Sequence, residues 1–248
     1  MQFRKVYEWF RGDVCNYSLL LFLPYTAGYG LIGHLRKANV AIRCAIDEKL
    51  PFVKWFIIPY TLWYAYAAST LIWFYLKEKG AYLKLMATFF EGLMPFLMYF
   101  LFFPNRIDFR PAASEIPGND ILARMVRFIY RIDEPTNVCP SIHCYISLVL
   151  LFAIRESESL KDHARVRYAA AVLSVLICMS TVLLKQHSVI DVAAGTALAV
   201  LIHWLIWHTP LAKKLEKSAN AALTRRAGKN AEASNCQTAS GSPCMQGN

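Results

Sequence analysis

Two histidines stand where apolar stretches meet polar ones: His143, in the run Cys139-Pro140-Ser141-Ile142-His143, and His187, in the run from Ser180 to Asp191. Asp191 follows His187 at i+4, so on a helix its carboxylate shares a face with the imidazole and can fix the tautomer of the ring. An imidazole oriented in this way can attack phosphorus or carbon, while the second histidine gives a proton to the leaving group. Transfer of a phosphoryl group also needs positive charge and donors around its oxygens, which Arg110, Lys185 and the Ser141 hydroxyl or amide can supply. Ionisable groups at membrane depth are costly and face wet internal cavities, which marks His143, Lys185, His187 and Asp191 as candidates. Singly, each is also an ordinary residue where a span meets water; the joint spacing favours a site.

These residues need elements that hold them. A content of 56% hydrophobic and 14% aromatic residues points to an all-α, polytopic membrane bundle rather than a soluble domain. Six apolar segments, about 15–33, 52–76, 82–103, 138–154, 166–184 and 188–209, approach the ~20 residues needed to cross the hydrocarbon. Residues 104–137, with five prolines and glycines and five arginines, form the expected active-site loop, and 119–132 within it reads as an amphipathic interfacial helix. Residues 193–199 (AAGTALA) offer a small-residue face for close helix packing. Glu91, inside the third span, is a secondary candidate. Residues 1–13 read as an interfacial segment, 1–212 as one membrane domain, and 213–248 as a polar, largely disordered tail.

The net charge of +10 is spread over the connections between apolar runs, which favours anionic membrane lipid over nucleic acid as a partner. Seven cysteines lack the spacing of a disulfide framework. Cys139 and Cys144 flank His143, but without a CxxC or HxxxH-type partner they are a weak zinc signal, and neither a metal nor a cofactor is expected. No small-residue cleavage site follows the first apolar run, so that span is expected to remain as an anchor. Of 27 lysines and arginines, 16 fall on the side that holds both termini, the 77–84 turn and the 155–167 loop. That bias predicts cytoplasmic termini and a site on the non-cytoplasmic face of a plasma (inner) membrane.

Asn137-Val138-Cys139-Pro140-Ser141-Ile142-His143 resembles the Pro-Ser-x-His motif of the type 2 phosphatidic acid phosphatase superfamily. Ser180-Thr181-x5-His187-x3-Asp191 resembles its Ser-Arg-x5-His-x3-Asp motif, and Arg110-Pro111 its Lys-x6-Arg-Pro motif. The resemblance implies that His187 is the nucleophile, Asp191 its orienting acid and His143 the general acid and base, with Arg110, Ser141, Lys185 and Asn137 at the substrate. Two positions depart: Phe103 stands where the family has lysine, and Thr181 where it has arginine. Lys185, at i+4 from Thr181, is the residue expected to restore the second charge. The resemblance leaves two enzymatic readings: a lipid phosphate phosphatase using water, and a lipid phosphotransferase, like the sphingolipid synthases, that passes the group to an alcohol. A transporter or scaffold with the same bundle is the reading from another class, disfavoured by the intact His143, His187 and Asp191.

Overall fold

The computed structural model describes residues 14–209. The interfacial segment expected at 1–13 and the tail expected at 213–248 lie outside them. The described chain is an α-helical bundle, with α1 (Val14–Leu20), α2 (Phe22–Leu35), α3 (Ala45–Lys49), α4 (Ile57–Lys77), α5 (Lys79–Phe102), α6 (Ile121–Ile132), α7 (Ile142–Glu156), α8 (Ala164–Leu183) and α9 (Val189–His208). Each of the six expected spans corresponds to helix, with shifted ends. The first is divided at Leu21 into α1 and α2, and the second begins at Ile57, after a 3-10 turn over Lys54–Phe56. The fourth begins only at Ile142, where Ser141 caps the helix by accepting a hydrogen bond from the Cys144 amide.

Four of the helical stretches, Ser18–Leu35, Lys79–Phe102, Ala164–Leu183 and Val189–His208, are long and apolar enough to cross a membrane by themselves. The helix α4 has 21 residues but is diluted by Tyr and Trp. The helix α7 has 15 residues, about 22 Å of rise, shorter than the ~30 Å of hydrocarbon. It is also the most enclosed helix: nine of its residues, from Cys144 to Ile154, are buried among α5, α8 and α9. A helix so surrounded meets protein rather than lipid around most of its circumference, which relaxes the length that lipid contact would impose.

Side-chain fit locks α7 in place. Its Tyr145 packs edge-on against Phe96 of α5 at 5.2 Å between ring centroids, and the phenol donates to the Thr88 carbonyl. Gly92 leaves the room for that ring, since a Cβ there would come within 2.1 Å of it. Gly195, within the small-residue face of α9, does the same for backbone: a Cβ would lie 2.5 Å from the Ser141 carbonyl oxygen.

At one end of the bundle the connections form a polar cap. Short strands β1 (Val40–Ala41) and β2 (Asn105–Arg106) pair in parallel, and Arg106 bridges Thr136. The amphipathic helix α6 starts at Asp120, which accepts from the Ala123 amide. Its buried Leu122, Val126 and Ile129 recur at helical spacing and pack on Ile57, Tyr60 and Leu184. At the opposite end, Ser157 and Ser159 donate to the Glu78 carboxylate and join the 77–79 turn to the loop after α7. Glu91 is exposed on the side of α5.

Gly195→Ala is expected to destabilise the bundle by about 1–3 kcal/mol, because neither backbone can yield without separating α7 from α9. It should also lower turnover, and melting and rate measurements in detergent test both. An unchanged melting temperature and rate would show that this close approach is dispensable.

Candidate active site

The cap end gathers residues that are far apart in sequence. His187 sits in the turn between α8 and α9, one residue before the helix cap, and its Nδ1 lies 3.3 Å from Oδ2 of Asp191. The same oxygen accepts from the Ser188 amide at 2.8 Å, so the pairing is not that of two residues stacked on one helical face. Asp191 is instead the N3 residue of a capping box that begins at Ser188, with its carboxylate reaching back over the helix start. The Ser-x-x-Asp pattern was present in the sequence as a signal of this geometry. A carboxylate only accepts, so it keeps the proton on His187 Nδ1 and leaves the Nε2 lone pair free.

Asp191 is fully buried. Burial disfavours the imidazolium of His187, but the hydrogen bond and charge of Asp191 outweigh it and hold the His187 pKa above its ordinary value. His143, in the first turn of α7, faces His187 with 5.7 Å between ring centroids. Tyr60 and Trp63 of α4 lie against the His143 ring, each at 4.7 Å, and its Nδ1 has no partner among the described residues. The two histidines line one cavity of about 440 Å³, together with Asn137, Gln186, Asp133 and Glu134 and with apolar walls that include Phe22, Leu93 and Ile146. Asn137, at φ 54°, presents a buried Oδ1 without a partner. The opening turn of α7 also meets this space through Ile142 and His143, and a helix N-terminus favours an anion.

The remaining expected residues lie outside this cavity lining. Ser141 is buried; its amide donates to the Asp191 carbonyl at 3.0 Å, so it joins the starts of α7 and α9. Arg110 lines an adjoining cavity of about 320 Å³, where its guanidinium lies 3.9 Å from the Tyr130 ring centroid. Its Nη1 donates to the Asp133 carbonyl at 2.7 Å, while Nε and Nη2 are buried without partners among the described residues. Lys185 does not share a helical face with Thr181, because α8 stops at Leu183 and Lys185 adopts φ 53°. Its ammonium donates to the carbonyls of Asp47 and Leu50 at 2.5 and 2.6 Å. Thr181 is buried, and its carbonyl accepts from the amides of Gln186 and His187.

Sequence reading passed over the braces. Asp47 is 2% exposed and accepts from Ser188 Oγ and from the amides of Val189 and Cys44 at 2.6–2.9 Å. Burial by itself would raise its pKa, but these hydrogen bonds outweigh it and hold the carboxyl below its ordinary value. Asn105 is equally buried and pins the approach to His143: its Oδ1 accepts from the Val138 and Cys139 amides, and its Nδ2 donates to the Cys139 carbonyl. Asp133, in hydrogen bond with Tyr60, lines the cavity beside Glu134. Apart from the local Cys44–Asp47 contact, no spacing in the sequence announces these partners, since the others act across 30 residues or more.

Comparison with known proteins agrees with this part of the chain. Residues 106–214 match the family model of the PAP2 superfamily, the stretch that holds all three motifs. No curated protein and no solved structure gives a match. The family match and the apolar helices indicate a membrane protein with phosphatase or phosphotransferase activity on phosphate esters.

Two outcomes follow from the geometry. If neutral His187 is the attacking form, activity should rise with pH through its raised pKa; Asp191→Asn should shift that acid limb to lower pH and cut the rate about a hundredfold or more. A kinetically silent Asp191→Asn would make the aspartate purely structural. Asp47→Ala, which strands the Val189 amide, should cost about 2–3 kcal/mol at neutral pH. Because the native Asp47 pKa is depressed, its stabilisation is present above the unfolded value near 4 and is lost as pH falls through the native one. The stability gap between wild type and Asp47→Ala should therefore narrow in acid, which melting curves across pH would read.

Proposed function

We propose, from this match to the PAP2 superfamily, that the chain is an integral-membrane phosphatase that hydrolyses a lipid phosphate through a phosphohistidine. The observation that carries the reading is the pair of rings facing each other across the cavity, one of them held by a buried carboxylate. In the first step His187 Nε2 attacks phosphorus, the bond to the ester oxygen breaks, and His143 passes its proton to that oxygen. A bound phosphate, being anionic, favours the imidazolium of His143 that this step requires. In the second step His143 takes a proton from water, the hydroxide displaces His187, and inorganic phosphate leaves.

Charge developing on the phosphoryl oxygens is met by the start of α7, by Asn137 or Gln186 amide groups, and by Arg110, whose two unpartnered donors are suited to an anion. Arg110 reaches the reacting centre only if the Asp133 segment yields, since that segment lies between its cavity and the one lined by the histidines. Lys185, in this reading, holds the turn that carries His187 instead of touching phosphate. The apolar walls of the cavity suit an acyl or isoprenoid tail, which supports a lipid ester as substrate. The charge bias of the connections supports a site on the non-cytoplasmic face.

The test is phosphate release from a panel of lipid phosphates by the purified protein. Wild type should act on at least one of them, and His187→Ala should lower single-turnover cleavage by about a thousandfold or more. A well-folded His187→Ala protein that keeps most of the rate would overturn the assignment.

A further inference from the structure

At the end of the bundle away from the cavity, a second group of histidines is gathered that the phosphatase chemistry does not use. His203 and His208 lie on α9, and Glu156 closes α7. One ligand atom from each of the three lies within 4.8 Å of the others, and His208 Nε2 is 3.7 Å from Glu156 Oε1. We propose that Glu156, His203 and His208 form a binding site for a divalent transition-metal ion of the zinc class, which ties the far ends of α7 and α9 together.

An ordinary ion pair accounts for His208 with Glu156, both half exposed, but not for His203. That imidazole is only 8% exposed, and its Nδ1 is buried with no partner among the described residues. It is wedged between the rings of Phe152 and Trp207, at 4.8 and 5.3 Å, with the His208 ring at 5.4 Å. Buried polar nitrogens are satisfied in the great majority of cases, so an unpartnered one beside two further ligands has a ready explanation in a bound ion. Two imidazoles and a carboxylate are a ligand set that suits zinc, with water in the fourth position.

Tetrahedral ligands at zinc distances lie about 3.3 Å apart. The Glu156–His208 pair, at 3.7 Å, is close to that spacing, and the His203 ligand atom lies within 4.8 Å of both. The site is separate from the chemistry, since α9 places about 26 Å of helix between Asp191 and His208. It nevertheless grips the same two helices whose opposite ends carry His143 and His187.

The experiment uses full-length protein in detergent, purified without a polyhistidine tag, stripped by chelator and titrated with zinc, with cobalt as the spectroscopic probe. Wild type should bind one zinc with a Kd of about micromolar or tighter and give the visible bands of tetrahedral cobalt. His208→Ala and Glu156→Gln change half-exposed side chains and should fold; each should weaken zinc at least about tenfold. His203→Gln should do so as well, and His187→Ala should leave zinc affinity unchanged. No zinc binding by wild type would overturn the proposal, as would affinity that survives His208→Ala and Glu156→Gln or is lost in His187→Ala.

Discussion

The buried carboxylate of Asp191 is the contact on which the rest of the site depends. It faces His187 with one oxygen, shares that oxygen with the Ser188 amide, and through its own backbone carbonyl holds the Ser141 amide at the start of the neighbouring helix. One residue therefore orients the proposed nucleophile, caps the helix that bears it and fixes the helix that bears the second histidine. Both partners meet Oδ2, while Oδ1 is buried without a partner among the described residues, so the fully buried carboxylate depends on His187 and the Ser188 amide.

That arrangement is possible only because the α7 and α9 backbones can come very close. Gly195 removes the Cβ that would meet the Ser141 carbonyl, and Gly92 makes space on the other side for Tyr145. The enclosed α7 is thus held by fit on two faces, and a histidine in its first turn inherits that rigidity. Preorganisation of this kind matters because catalytic geometry tolerates displacements of only a fraction of an ångström.

Around the pair lies a ring of braces from parts of the chain with no catalytic signature. Asp47 and Lys185 bind each other's neighbourhoods: the carboxylate holds the start of α9, and the ammonium binds the carbonyls of Asp47 and Leu50. Tyr130 of α6 donates to the Leu184 carbonyl and ties the interfacial helix to the same turn. A lysine that satisfies buried carbonyls is as costly to remove as a ligand, although it touches no substrate.

The sequence by itself determined the helical bundle, the approximate positions of its spans, the amphipathic helix of the third connection and the identity of the histidine pair and its aspartate. These were legible because hydropathy over some twenty residues and ionisable groups placed against apolar runs are local properties of the chain. Tertiary structure decided how those residues meet. The helical face expected to join Lys185 to Thr181 gave way to a turn, because α8 ends at Leu183 and the chain enters the left-handed region at Lys185. The pairing of His187 with Asp191 survived that change only because a capping box returns the carboxylate to the residue before the helix. Arg110 belongs with the phosphate by its place in a motif, yet it stands in an adjoining cavity beside Asp133; Gly195 was legible only as one of a run of small residues, and Asp47 and Asn105 could not be singled out at all. Hydrogen bonds and close backbone approach between distant segments leave no periodicity to read, so their partners exist only once the helices have packed.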